Sequence, residues 1–262
     1  MSFSLLTYNV LFNKAFIELE QILYQDKPEI LCLQEVEASE KNLARLNKFG
    51  YRLADYSNSF IKFGKIFAVA TYFNAEKLKL VKTDSFSLPK SIYEMFIAVL
   101  NIIKGKNTPR TILRTDFLLT KNKKRVAIYN IHLTVEGINR TRTNQLQTIL
   151  NHTIKDTKLP IVLTGDFNYF PYRRKRLENL LLRYGFKEAT NKISYTIRYP
   201  DRSFTRASFV QELVYKIVRK YFNGRLKVDY TFFKNIKLVG SKRVEKEFSD
   251  HYPIISTFKI TK

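Results

Sequence analysis

Apolar residues recur along this chain with two different periods. Unbroken runs such as Leu5-Leu6-Thr7-Tyr8, Ile30-Leu31-Cys32-Leu33 and Ile161-Val162-Leu163 end in polar residues and read as strands buried on both faces. Elsewhere Phe16, Leu19, Ile22 and Leu23, and later Leu146, Ile149, Leu150 and Ile154, fall three and four residues apart, the spacing of an amphipathic helix. The pattern predicts strands at 2–9, 30–34, near 51, 67–73, 79–86, 111–120, 125–133, 160–164, 227–233, 236–242 and 252–260. It predicts helices at 15–24, 40–49, 139–155, 174–184 and 209–222. Asn122, between two long strands, marks a hairpin. No Gly/Ser linker, internal repeat or composition break interrupts this alternation, so a single domain over 1–262 is expected, with sheets packed face to face and helices outside.

Composition narrows the class. With 45% hydrophobic and 26% charged residues, eight Gly and seven Pro, the chain is globular rather than disordered or collagenous. Its one cysteine, Cys32, sits inside an apolar run, which excludes an internal disulfide and a Cys-based zinc site. The N-terminus lacks the pattern of a secretory signal and no apolar run approaches the roughly 20 residues that span a bilayer, so a soluble, cytoplasmic protein is expected. Forty-six basic against twenty-three acidic residues give a formal charge of +23. That excess favours polyanionic partners, nucleic acid or an anionic membrane surface.

Several polar residues fall just past the ends of apolar strands, where loops over a rigid sheet build active sites: Asn9, Glu35, His132, Asp166 and Asn168, Asp229, and the pair Asp250-His251. Each alone reads as a turn or a strand boundary. Together they place buried acids and imidazoles that need partners, since an unpaired one costs several kcal/mol of desolvation. A shared cation is the common solution. An oxygen-rich set with one or two carboxylates suits Mg²⁺, with Mn²⁺ as a substitute, whereas zinc calls for more His or Cys than three distant histidines offer.

The segments that hold these residues, Leu6-Thr7-Tyr8-Asn9-Val10, Leu33-Gln34-Glu35-Val36, Asn130-Ile131-His132-Leu133, Gly165-Asp166-Phe167-Asn168, Val228-Asp229-Tyr230 and Ser249-Asp250-His251-Tyr252-Pro253, resemble in order and spacing the endonuclease/exonuclease/phosphatase superfamily. The resemblance runs from Asn9 to Pro253. It implies a DNase I-like, four-layered α/β sandwich, two mixed sheets with helices on both outer faces, and a Mg²⁺-dependent phosphodiesterase. By that resemblance Glu35 is the principal metal ligand, with Asn9 and Asp250 contributing. Asp166 orients or deprotonates the attacking water, Asn168 holds a phosphate oxygen, and His251 is the catalytic histidine paired with Asp229. His132 matches the second histidine of the DNase I, sphingomyelinase and tyrosyl-DNA phosphodiesterase branches, where the abasic-site endonuclease branch carries Tyr. The segment 223–227 lacks the Cys and Arg of inositol polyphosphate phosphatases. His152 matches no motif and reads as a surface residue.

Basic clusters bear on the substrate. Lys121, Lys123, Lys124 and Arg125 fall in a hairpin, Arg173, Arg174, Lys175 and Arg176 follow the Gly-Asp-Phe-Asn segment, and Arg198, Arg202 and Arg206 interleave with Tyr199 and Phe204. Arg173, Arg174 and Arg176 lie nearest the chemistry and are the expected substrate contacts. Cations and aromatics in this arrangement suit phosphate contact and base stacking, which favours a nuclease acting on DNA or RNA. The alternative is a sphingomyelinase-like phospholipase at a membrane surface. Segments 91–103 and 209–222, amphipathic with flanking Lys and Arg, would then lie in the interface. A third reading is a nucleic-acid-binding module without catalysis. Against it, every polar position the reaction needs holds a competent residue. No protein partner is readable.

Overall fold

The computed structural model describes residues 2–62, 64–88, 95, 110–135, 138–153, 158–198, 220, 224–245 and 248–260. In chain order the elements are β1 (Ser2–Asn9), α1 (Phe16–Asp26), β2 (Ile30–Glu37), α2 (Glu40–Leu43), β3 (Tyr51–Lys62), β4 (Lys65–Asn74), β5 (Leu78–Ser87), β6 (Thr111–Leu119) and β7 (Arg125–His132). There follow α3 (Asn139–Thr153), β8 (Ile161–Asp166), α4 (Arg174–Arg183), β9 (Lys187–Glu188), β10 (Asp229–Lys234), β11 (Lys237–Arg243) and β12 (Ile254–Lys259).

The strands form two six-stranded sheets, ordered β11-β12-β1-β2-β4-β3 and β5-β6-β7-β8-β10-β9. The β1–β2 and β7–β8 pairs are parallel and the other described pairs antiparallel, so both sheets are mixed. The unbroken apolar runs follow from this arrangement, because alternate residues of one strand face different layers. In β2, Ile30 and Cys32 enter the core between the sheets with Leu5, Phe117, Val126, Ile128 and Val162. Leu31 and Leu33 point the other way and pack under Phe16, Leu19 and Ile22 of α1. On the second sheet Tyr129, Ile131 and Leu163 face outward against Leu146, Ile149 and Leu150 of α3 and Leu177 and Leu181 of α4. The result is helix, sheet, sheet, helix, the DNase I-like sandwich. Each fully buried Leu, Ile or Phe in these layers contributes about 1.5–3 kcal/mol of transfer free energy.

Local chemistry sets the boundaries. α1 stops where Lys27 turns left-handed at φ 44° ahead of Pro28. The helix expected over 40–49 is shorter, four residues of α-helix and then a 3₁₀ segment, Arg45–Phe49, closed by Gly50 at φ 79°. The strand expected near Tyr51 extends twelve residues along the sheet edge, with two register shifts against β4. Its Ser57-Asn58-Ser59 run hides it from an apolar-run reading, and bulges with polar residues are the usual protection of an edge. The hairpin at Asn122 joins β6 and β7 as expected. His152 is exposed and stacks on Phe86 with ring centroids 4.0 Å apart.

Segments 91–103 and 209–222, except Met95 and Lys220, lie outside the described residues, as do Tyr199, Arg202, Phe204 and Arg206. No helix among the described residues is long and apolar enough to cross a membrane.

Candidate active site

The interior between the sheets changes character along the strands. Inner faces read Leu5-Thr7-Asn9 on β1, Cys32-Gln34 on β2, Ile128-Asn130-His132 on β7, Val162-Thr164-Asp166 on β8 and, in reverse, Phe233-Thr231-Asp229 on β10. Each is apolar, then neutral polar, then chemically active toward one edge. Register makes these rows continuous: Asn130 pairs with Thr164 and Thr164 with Thr231, while His132 pairs with Asp166 and Asp166 with Asp229.

The neutral row locks the sheets together. Gln34 Nε2 donates to Asn130 Oδ1 at 2.8 Å and lies 3.3 Å from Thr7 Oγ1. Asn130 Nδ2 donates to the Ala70 carbonyl at 3.0 Å, and the Thr164 and Thr231 hydroxyls meet at 2.7 Å. Buried amides bridging the sheets this way fix the spacing of the active row above them, although Gln34 Oε1 has no hydrogen-bond partner among the described residues.

Asp166 is the hub of that row. Its Oδ2 accepts Asn9 Nδ2 from the opposite sheet at 3.2 Å and lies 3.7 Å from the Nε2 atoms of both His132 and His251. Its Oδ1 accepts the Asn168 backbone N–H at 2.9 Å, an Asx turn that Asn168 completes at φ 48°. The Asn168 side-chain amide donates to the Leu133 carbonyl at 3.1 Å. Gly165 is required beneath: it adopts φ 138°, and a Cβ there would sit 2.0 Å from the Ile131 carbonyl oxygen. Only glycine lets β7 and β8 approach this closely.

His251 joins Asp166 to Asp229. Its Nδ1 lies 3.0 and 2.9 Å from the two Asp229 oxygens, which places the proton on Nδ1 and turns Nε2 toward Asp166. Burial alone would lower the imidazole pKa, but the Asp229 and Asp166 carboxylates outweigh it and hold His251 well above the usual histidine range. The backbone on both sides is braced. Thr196 Oγ1 accepts the N–H groups of Val228 and Asp229 at 3.0 and 3.1 Å, and Ile197 forms a bridge with His251. Ser249 Oγ donates to the Asn9 carbonyl at 2.8 Å and accepts the His251 N–H at 3.1 Å.

Glu35 arrives by a bulge. The β2–β4 register shifts between Leu33 and Val36, and Glu35 takes φ 61°, a left-handed conformation uncommon for its residue type. Strict alternation would send Glu35 to the helix side after inward-facing Gln34, and the bulge re-aims it. Its carboxyl interacts with Asp250, His251, Asn9 and Asp166, and burial, followed by the Asp250 charge, pushes its pKa up to about 7. Oε2 is buried without a hydrogen-bond partner among the described residues. An orphaned carboxylate oxygen beside the Asp250 carboxylate fits a cation, and an all-oxygen set fits Mg²⁺. Among the described residues, Asp166, Asp229 and His251 also have ligand atoms within 4.8 Å of one another, a spacing compatible with a metal ion. Burial likewise raises the pKa of Asp166.

His132 is fully buried, and both ring nitrogens lack a hydrogen-bond partner among the described residues. Burial, the Arg110 charge and the His251 charge hold its pKa well below the ordinary value, so it is a neutral imidazole. Thus all eight polar positions expected from the sequence, Asn9, Glu35, His132, Asp166, Asn168, Asp229, Asp250 and His251, converge on one edge. The arginines divide. Arg174 donates to Glu178 at 2.7 Å and Glu188 at 3.0 Å, so its guanidinium is engaged within the fold. Arg173 and Arg176 line an adjoining cleft. The sequence assigned no role to Gln34, Asn130, Thr196 or Ser249, nor to Lys14, which feels the Asp250 charge, or Arg110, whose charge acts on His132. Only the first two carry a sequence signal, a polar residue breaking an inward apolar alternation.

The sequence matches the model of the Endonuclease/Exonuclease/phosphatase family over residues 6–251. No curated protein matches it. Among solved structures, the human Nocturnin catalytic domain with bound sulfate is similar at TM-score 0.71 and 18% identity, covering 99% of this chain and 94% of that one. A mannosyl-6-phosphatase of Bacteroides thetaiotaomicron gives TM-score 0.65 at 15% identity, covering 98% and 99%. D. rerio TDP2, complexed with a single-strand DNA product, gives TM-score 0.65 at 14% identity, also covering 98% and 99%. At these identities the likeness concerns the fold.

Proposed function

This chain belongs to the endonuclease/exonuclease/phosphatase family and is a phosphoric ester hydrolase of that generally metal-dependent group; we propose that it is a Mg²⁺-dependent phosphodiesterase that cleaves nucleic acid. The observation that carries this reading is the Asp229–His251–Asp166 arrangement, a charged imidazole fixed at 2.9 Å by one carboxylate and facing a second at 3.7 Å.

In-line displacement at phosphorus needs a water activated on one side and charge on the phosphoryl oxygens neutralised. Asp166 serves the first need. Its carboxylate, kept in place by Asn9 and the Asn168 N–H, accepts the proton of the attacking water, and burial raises its basicity toward that task. His251 serves the second. Held as an imidazolium by Asp229, it presents Nε2–H to a non-bridging oxygen. Neutral His132 and the Asn168 amide complete the donors around the phosphate. Glu35, Asn9 and Asp250 would hold Mg²⁺. An ion held by them would supply Lewis-acid neutralisation of the charge that develops on the phosphate.

A polyanionic substrate is supported by the formal charge of +23 and by TDP2, a protein of the same fold bound to single-strand DNA product. Salt tests this directly. Cleavage of a DNA oligomer should show KM rising steeply between 50 and 200 mM salt as phosphate contacts release counterions. A KM independent of salt would contradict a nucleic-acid substrate.

A further inference from the structure

We propose that Arg140, Arg173 and Arg176 form a phosphate subsite beside the catalytic pocket, holding the phosphate next to the scissile one on a nucleic-acid strand. The inference deepens the nuclease reading and rests on it.

The three arginines come from two segments, Arg140 from the start of α3 and Arg173 and Arg176 from the N-cap and first turn of α4, and line one cleft of about 390 Å³ with Asn139, Tyr169 and Tyr172. All three are exposed and make no ion pair among the described residues. This sets them apart from Arg174, which is held by Glu178 and Glu188. Three like charges lining one cleft without a counterion among the described residues repel one another, and an anion bound there relieves the repulsion.

A second observation comes from the cleft wall. Tyr169 is fully buried, yet its hydroxyl has no hydrogen-bond partner among the described residues. Tyr169 also lines the cleft, and a buried hydroxyl without a partner is destabilising until an acceptor comes within its reach. The cleft is also rigidly tied to the active row. Asn139 Oδ1 accepts the Phe170 N–H at 3.0 Å, and its Nδ2 donates to the Phe170 and Tyr172 carbonyls at 3.0 and 2.8 Å. Tyr169 directly follows Asn168, so its Cα lies about 3.8 Å from that of a residue bonded to Asp166. A strand whose scissile phosphate meets Asp166 and His251 would pass its neighbouring phosphate to this cleft.

The test compares a thymidine trinucleotide, TpTpT, with analogues in which one of its two linkages is a neutral methylphosphonate. Shape and bases are retained and one charge is lost. The wild-type protein should cleave TpTpT with kcat/KM about tenfold above either analogue. In Arg140→Ala, Arg173→Ala and Arg176→Ala that ratio should fall toward the factor of two expected from counting cleavable bonds. A wild-type ratio near two, or a ratio unchanged in all three variants, would overturn the subsite. Calorimetric titration of the metal-free protein with the same ligands reads the cleft without turnover. Tighter binding of TpTpT, lost in the arginine variants, with no cleavage of any ligand in Mg²⁺ would sustain the subsite and overturn the nuclease reading. Equal binding of all ligands would overturn the subsite.

Discussion

Asp229 stands directly opposite Asp166 across the β8–β10 ladder, and His251 is inserted between their charges. Two buried carboxylates in adjacent strands repel, and the imidazolium converts that repulsion into a relay of alternating sign. The pH profile should expose this. Burial works against the charged ring, so once Asp229 is neutralised His251 loses its proton at lower pH. In Asp229→Asn, kcat should fall about 10²-fold and the alkaline decline should begin at lower pH than in the wild type. Rates measured from pH 6 to 10 check it, and an unmoved alkaline limb would contradict the role given to the pair.

Asp166→Asn preserves shape and removes the base. The Asn168 N–H still finds a carbonyl oxygen, so the fold should persist while kcat falls about 10³-fold or more. Circular dichroism melting and turnover of the same preparation separate the two effects.

Glu35 ties metal binding to pH. Its folded pKa of about 7 exceeds the ordinary glutamate value near 4.5, so the folded protein binds the extra proton between those values. Metal-free stability from this group is therefore present at low pH and declines as pH rises toward 7. Mg²⁺ requires the deprotonated form and relieves the buried charge. Added Mg²⁺ should raise Tm more at pH 8 than at pH 6. Glu35→Gln should lose that increment and melt higher than the wild type in EDTA at pH 8. Thermal scans with Mg²⁺ and EDTA at both pH values provide the readout.

Gly165→Ala should damage fold and site together. Its Cβ would meet the Ile131 carbonyl at 2.0 Å, so β7 and β8 must separate, at a cost of about 3 kcal/mol or more. Denaturant unfolding should show the loss, and any folded fraction should turn over slowly because Asp166 and His132 move apart.

Much of this architecture was legible because burial on both faces writes itself as unbroken apolar runs, as in β2 and β8. The long edge strand β3 was not, since the polar run Ser57-Asn58-Ser59 breaks the apolar pattern even though Ser59 is buried. Site residues were legible for the same reason in reverse: Asn9, Asp166 and Asp229 are polar where the inner face should be apolar. Glu35 differs. It stands out in sequence as an acid after an apolar run, but only the bulge at φ 61° explains how it reaches the cleft rather than the helix layer. Thr196 and Ser249 were invisible, because bracing by a hydroxyl has no periodic signature. The engagement of Arg174, where its neighbour Arg173 makes no ion pair among the described residues, depends on Glu188 fourteen residues away, a contact that spacing does not encode.

The proposed reaction is metal-dependent nucleic-acid hydrolysis by the Asp166–His251 pair. It is tested most directly by incubating end-labelled single- and double-stranded DNA with the protein in Mg²⁺ or EDTA, with His251→Ala prepared in parallel. The wild type should cleave in Mg²⁺, and cleavage should be lost with EDTA and in the variant. No cleavage by folded wild-type protein, or equal cleavage by His251→Ala, would contradict it.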